Sequence, residues 1–351
     1  MTRHWFGVLA VVASVAAGAC SSGGGTPDLE GLGTPGETVV SFPGADKARL
    51  GGTIALPETA PGSRAGVPGI VIVPDIGAVD REGAIASIPD PLYRDLSQTF
   101  NKAGMAALRY DRRGIGSSQA PAGQATTFDG MVADARAAVD FMASRRGIEA
   151  DGLALVGHDR GGLIALRVAA TDPRVKAVVL VSTPGRPLVG VMGDEVRAAF
   201  GDASATALRA ALGTYLATGA MPDRASTRPE LQQMLSPANE GMLKVLLGLD
   251  PVAEARAVKV PAFIATGAQS ERVRGIDADN LARALGGAET AVADGGETLR
   301  KLGTVASATV TAADENSHSG GSSIIPPSLR DETVMGRMAG FLAGRLGARR
   351  L

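Results

Sequence analysis

The chain has 351 residues, a formal net charge of −1, and 45% hydrophobic against only 3% aromatic residues. That length allows one large domain or two ordinary ones, with ample apolar material for a core. The near-neutral charge leaves no electrostatic footprint for nucleic acid, so no nucleic-acid partner is expected.

The first residues stand apart from that core. A basic start (Arg3, His4) precedes an apolar run from Trp5 to Ala17, and small residues lead into Cys20. This is the pattern of an export signal over residues 1–19, too short and wrongly flanked for a spanning helix. Cys20 is the only cysteine, and Ser and Gly follow it. The arrangement resembles a bacterial lipoprotein signal, with Ala17 where leucine is usual. The resemblance implies that Cys20 becomes a lipidated N-terminus and anchors the chain to a membrane of the cell envelope. The alternative is ordinary cleavage before Cys20, which yields a secreted chain with an incidental thiol. With Cys20 used as an anchor no disulfide is available, and the domain is held by its core alone. Residues 20–37 are rich in Gly, Ser and Pro without periodicity and read as a flexible linker.

A domain over 38–351 follows. "ETVVSF" and "ARLGGTIALP" read as two strands joined by the turn "PGADK", and "GIVIVP" (69–74) is a strand buried on both faces. A helix ends at Gly104, and "MAALRYD" is the next strand. "FDGMVADARAAVDFMASRR" is amphipathic, with Met131, Ala135, Ala138 and Met142 on one side. Then come strand "LALVG", helix "GGLIALRVAATD" and strand "VKAVVLVST". Residues 186–256 hold helical stretches and no strand, which suggests a helical cap inserted between two sheet strands. The alternation resumes with strand "VPAFIATG", helix "ADNLARALGG", strand "ASATVTAAD" and a final helix from 331. The fold class is therefore α/β: a mostly parallel central sheet flanked by helices, with a helical cap.

Ligands of such sheets bind beyond the carboxyl ends of the strands. There lies "VGHDRGG", which matches the strand–turn–helix pattern G-x-S-x-G through Gly157, Gly161 and Gly162, with Asp159 at the apex. Asp tolerates the positive φ of that turn, and a carboxylate is also favoured at a helix N-terminus. Asp159 is thus either a catalytic group or a helix cap.

With "VDREG" (79–83), "LRYDRRGIGSS" (108–118), "STPGRPL" (182–188) and "LGLDPVAEARAVKVPAFIATG" (247–267), the chain resembles the α/β-hydrolases over about residues 48–348. The likeness is to the bacterial secreted branch of serine-aminopeptidase-like esterases, with the nucleophile serine replaced by Asp159. It implies the α/β-hydrolase fold and a small-molecule substrate or ligand. Asp111 and Arg112 are expected to brace their loop. Position by position the family machinery is altered. The His-Gly pair after the third strand is Pro74-Asp75, which makes Asp75, Ile76 and Arg160 the candidate oxyanion and pocket residues. The family acid falls on Ser270, beside Glu271. His318 follows the last expected strand, where the family base lies. "GHDRG" is also similar to the elbow of haloalkane dehalogenases and epoxide hydrolases, whose aspartate attacks an sp³ carbon. Those relatives hold the leaving group with Trp, Tyr or His, and Tyr215 is the tyrosine expected over this site.

Three functions follow. The first is a hydrolase with Asp159 as nucleophile or acid/base, His318 activating water and Glu271 or a neighbouring acid orienting His318. The second is a binding or scaffold protein on a hydrolase fold, without turnover. The third is an esterase using another serine. No cofactor is implied, and one pair of carboxylates does not make a metal site, so none is expected.

Overall fold

The computed structural model describes residues 36–58, 66–83, 91–121, 126–299 and 330–348. The export signal, Cys20, most of the linker, His318 and the strand expected at 306–314 lie outside them.

The sheet opens with β1 (Glu37–Pro43) and β2 (Arg49–Ala55), an antiparallel pair joined as the "PGADK" turn suggests. Then follow β3 (Val67–Val73), α1 (Leu92–Lys102), β4 (Ala106–Tyr110), α2 (Phe128–Ser144), β5 (Ile148–His158), α3 (Gly161–Ala169) and β6 (Val175–Val181). A helical segment comes next: α4 (Leu188–Phe200), α5 (Asp202–Thr218), α6 (Glu240–Gly248) and α7 (Pro251–Ala257). The chain returns through β7 (Ala262–Gly267), α8 (Gly275–Ala284), β8 (Glu289–Ala293) and α9 (Glu332–Leu346).

The strand order is β1-β2-β4-β3-β5-β6-β7-β8, parallel from β4 to β8. The chain moves from β3 to β4 on one side and then to β5 on the other. The crevice between the ends of β3 and β5 is therefore a topological switch point, the place where such sheets take their ligands. Both faces of the sheet are covered. Leu92, Leu96, Phe100, Met338 and Leu342 of α1 and α9 fill one side. Met131, Ala135, Val139, Leu163 and Leu166 of α2 and α3 fill the other.

The helical segment carries a core of its own, with Met192, Val196, Leu208, Leu212, Leu231 and Leu243 packed together. Its last helix departs from it: Ala255 of α7 joins the main core. Gly201 (φ 84°) separates α4 from α5. Between α5 and α6 the stretch "RPELQQML" holds only a short 3₁₀ turn, Pro229–Leu231.

One strand was not expected. β8 pairs in parallel with β7 and forms an edge of the sheet. Its sequence, ETAVA, exposes Glu289, Thr290 and Val292 and buries only Ala291 and Ala293. A half-polar edge strand lacks the continuous apolar run that marks β3 or β6. Among the described residues no helix is long and apolar enough to cross a membrane.

Candidate functional site

β5 ends at His158 and α3 begins at Gly161, so Asp159 sits at the tip of a sharp strand-to-helix turn with φ 52°. For a residue other than glycine that conformation costs roughly 1–3 kcal/mol and persists only when the surroundings enforce it. Here they do. A Cβ on Gly161 would lie 2.3 Å from the Pro74 carbonyl oxygen, and one on Gly162 would lie 2.0 Å from Thr183 Oγ1. The helix thus packs directly on the neighbouring strand ends. The Asp159 N–H donates to the Val181 carbonyl at 2.9 Å, which fixes the tip between β5 and β6.

The Asp159 side chain is fully buried. Arg272, from the loop after β7, forms a close ion pair with its Oδ2 and also reaches Glu195 of α4 (3.2 Å) and Glu297 of the loop after β8 (2.8 Å). Arg160, next to the tip, pairs closely with Glu195 and lies 3.9 Å from Asp75. Four carboxylates and two guanidiniums thus converge from five segments. Burial, with help from Asp75, outweighs the attraction of Arg272 and pushes the Asp159 carboxyl up to about 7. Burial also works against the charge of Asp75, yet Arg160 and Arg272 hold its carboxyl below the ordinary range.

Asp75 lies in the loop after β3, beside the tip. Its carboxylate accepts from the Gly77 N–H at 3.2 Å and is further stabilised by the N–H of Ile76. Both N–H groups thus serve the protein's own carboxylate. The Asp75 N–H donates to the Tyr93 hydroxyl at 3.1 Å, and that hydroxyl lies 3.0 Å from His158 Nδ1. The ring's tautomer sets which of the two donates, since a hydroxyl can accept a second hydrogen bond as readily as give its proton. Burial pushes His158 down to about 4, so the ring is neutral.

Among the described residues, seven buried polar atoms make no hydrogen bond: Asp75 Oδ1, His158 Nε2, both Asp159 carboxyl oxygens (Oδ2 being held in the ion pair with Arg272), Arg160 Nε, Thr183 Oγ1 and Arg272 Nε. All belong to this one constellation. Buried polar groups are ordinarily satisfied, so this concentration sets the constellation apart from the packed interior and makes it the candidate site.

The sequence candidates fare differently. Asp159, Asp75, Ile76 and Arg160 come together. Glu271 is exposed and makes no ion pair or hydrogen bond among the described residues; Arg272, its neighbour, is the side chain that turns inward. Ser270, where the acid was expected, donates to Glu297 at 3.2 Å. Tyr215 hydrogen bonds Glu240 at 3.4 Å within the helical segment rather than meeting the tip. His318 lies outside the described residues. The loop that leaves the observed last strand, β8, brings Glu297 to the site instead. Asp111 accepts from the backbone N–H groups of Arg81 and Ser117, both at 2.8 Å, and Arg112 donates to the Gly77 carbonyl at 2.9 Å, so both brace loops. Glu195, Arg272 and Glu297 were missed. For Glu195 a signal existed: an acidic pair, Asp194-Glu195, interrupts the apolar stripe Leu188, Val191, Met192, Val196 of α4.

A family model described as serine aminopeptidase, S33, matches residues 91–238. A thiohydrolase, apmlB, from Arthrinium phaeospermum is 33% identical over 97 residues, which are 26% of this chain and 29% of the relative's length. Among solved structures, GrgF, an α/β hydrolase from Penicillium sp. sh18, superposes with a TM-score of 0.57 at 17% identity, covering 89% of this chain and 99% of that one. Est1E from Butyrivibrio proteoclasticus, with ferulic acid bound, gives 0.55 at 15% identity, covering 87% and 99%. An esterase from Pyrococcus furiosus gives 0.53 at 15% identity, covering 78% and 89%. The chain has the α/β-hydrolase fold.

Proposed function

We propose that this chain is a hydrolase of a small organic substrate, with Asp159 as the attacking group. The observation that carries the reading is the tip itself. A strained, fully buried carboxyl at the switch point titrates near neutrality between two arginines. The hydrolase names of the family model and of the relatives support the reaction class; the tip supports the residue.

Carboxylate chemistry narrows the substrate. Attack on an ester carbonyl would make an anhydride and gain little. Attack on an sp³ carbon forms an alkyl ester on Asp159 while the carbon–leaving group bond breaks, and the leaving group departs with the electron pair. Water then adds to the Asp159 carboxyl carbon, the alcohol leaves, and one carboxylate oxygen now comes from water. His318 is proposed as the base that takes the proton of that water. Arg272 orients the carboxylate through their ion pair, and Arg160 adds a second positive charge nearby. Only its ionised form attacks, so the rate should rise with pH through about 7.

A second reading, binding without turnover, draws on one observation: the Ile76 and Gly77 N–H groups serve Asp75 rather than a substrate oxygen. An assay panel of epoxides, haloacids and aryl esters separates the two. Turnover that Asp159→Ala lowers by roughly a thousandfold or more supports the hydrolase. No turnover of any panel substrate, or turnover untouched by Asp159→Ala, supports the second reading or another nucleophile.

Export and anchoring through Cys20 are proposed on the N-terminal sequence alone. Cys20→Ala should release the protein from membranes; unchanged partition would refute lipidation.

A further inference from the structure

A second charge cluster lies outside the site, at the seam between the helical segment and the sheet domain. Its centre is Asp194, the residue before Glu195 on α4. Each oxygen of its carboxylate takes two guanidiniums. Arg186 (2.8 Å) and Arg274 (3.1 Å) meet Oδ2, while Arg197 (3.2 Å) and Arg209 (3.4 Å) meet Oδ1. The four come from the loop after β6, α4, α5 and the loop before α8. Arg186 also pairs with Asp277 at 2.9 Å, and none of the four has another ion pair among the described residues.

Four guanidiniums face two carboxylates, and arginine cannot shed its proton to relieve the repulsion. Two positive charges are left over in one place on a chain whose net charge is only −1. Stability alone does not account for this. Arg197, Arg209 and Arg274 are nearly half exposed, and exposed ion pairs contribute little. The backbone is also shaped for the cluster. A Cβ on Gly193 would lie 2.6 Å from Arg209 Nε and 2.9 Å from its NH2, so with glycine here the guanidinium rests against the helix, and a side chain would move this flexible arm aside. Glycine there costs about 1 kcal/mol relative to alanine.

We propose that this seam is an anion site that takes a phosphate-type anion, held by Arg197, Arg209 and Arg274 with Asp194 as their organiser. Arginine forks match the oxygens of a phosphate group in bidentate fashion. The anion is either the phosphate of a small soluble phosphorylated compound or the phosphodiester of a phospholipid headgroup.

The full chain is titrated calorimetrically with inorganic phosphate and with glycerol phosphate at constant ionic strength. In parallel it is pelleted with phosphatidylglycerol or phosphatidylcholine vesicles. The double variant Arg209→Gln with Arg274→Gln should weaken phosphate binding roughly tenfold or more, while Arg283→Gln, exposed on α8 outside the cluster, leaves it unchanged. Gly193→Ala keeps every charge but displaces Arg209, so it should weaken binding as well; it also decides the matter if the double variant fails to fold. Saturable phosphate binding sensitive to these variants assigns a soluble ligand. Pelleting with phosphatidylglycerol that only the cluster variants reduce, without binding of free phosphate, assigns a headgroup. The proposal is overturned if neither probe binds, or if both bind equally to wild type and to the cluster variants.

Discussion

Two neighbouring residues of α4 belong to opposite electrostatic worlds. Glu195 joins the buried network around Asp159, where carboxylates outnumber guanidiniums four to two. Asp194 joins the seam, where guanidiniums outnumber carboxylates four to two. The difference in exposure decides what each excess does. In the buried network a surplus of negative charge is relieved by protonation, and the carboxyl at the tip is the one raised toward neutrality. At the half-exposed seam a surplus of arginine has no such outlet and is met by solvent ions or a bound anion.

The comparison breaks most readily at Arg272. Its replacement by methionine leaves Asp159, Glu195 and Glu297 without their shared partner in the interior. A loss of about 3 kcal/mol or more in urea unfolding is expected. A loss as small as that of a surface ion pair would mean the network is not held by this guanidinium.

The pH dependence of stability comes next. The unfolded Asp159 value is 3.8 and the folded one about 7, so between these the folded chain holds the extra proton. Its contribution is fully present below 3.8 and is lost as pH rises through 7. His158 runs the other way: with 6.5 unfolded and about 4 folded, its contribution is present above 6.5 and is lost as pH falls toward 4. The two oppose each other between 4 and 6.5. Asp159→Asn removes one partner, so its stability should gain on the wild type as pH rises from 4 to 7, by a few kcal/mol as an order of magnitude. Parallel curves for the two proteins would place the titrating group elsewhere.

Tyr93→Phe tests a smaller element of the buried side. It strands the Asp75 N–H and His158 Nδ1, at an expected cost of about 1–3 kcal/mol in thermal or urea unfolding. Arg197→Gln, at the seam, should change stability by less than about 1 kcal/mol, since its 3.2 Å pair with Asp194 is half exposed. A seam variant as damaging as Arg272→Met would erase the distinction between the two clusters.

The sheet was legible in the sequence wherever burial on both faces forces a continuous apolar run, as in β3, β5, β6 and β7. It was illegible at β8, whose edge position permits Glu289 and Thr290. The site divides in the same way. Asp159, Asp75 and Arg160 lie in loops fixed by local patterns: an elbow between glycines and the turn after β3. Glu195, Arg272 and Glu297 arrive from segments with no such pattern, and only the folded chain brings them together. In the loop after β7, sequence reasoning chose Glu271 as the nearest acid to the expected position at Ser270, and the side chain that turns inward is its neighbour Arg272, a base.

The attack by Asp159 has a direct test. A panel substrate is turned over once in ¹⁸O-water by an excess of the protein, and the peptide containing Asp159 is examined by mass spectrometry. One heavy oxygen in the Asp159 carboxyl, with none in the alcohol product, is the predicted result. An unlabelled Asp159 beside a labelled product would show that water attacks the substrate directly, and would contradict the mechanism.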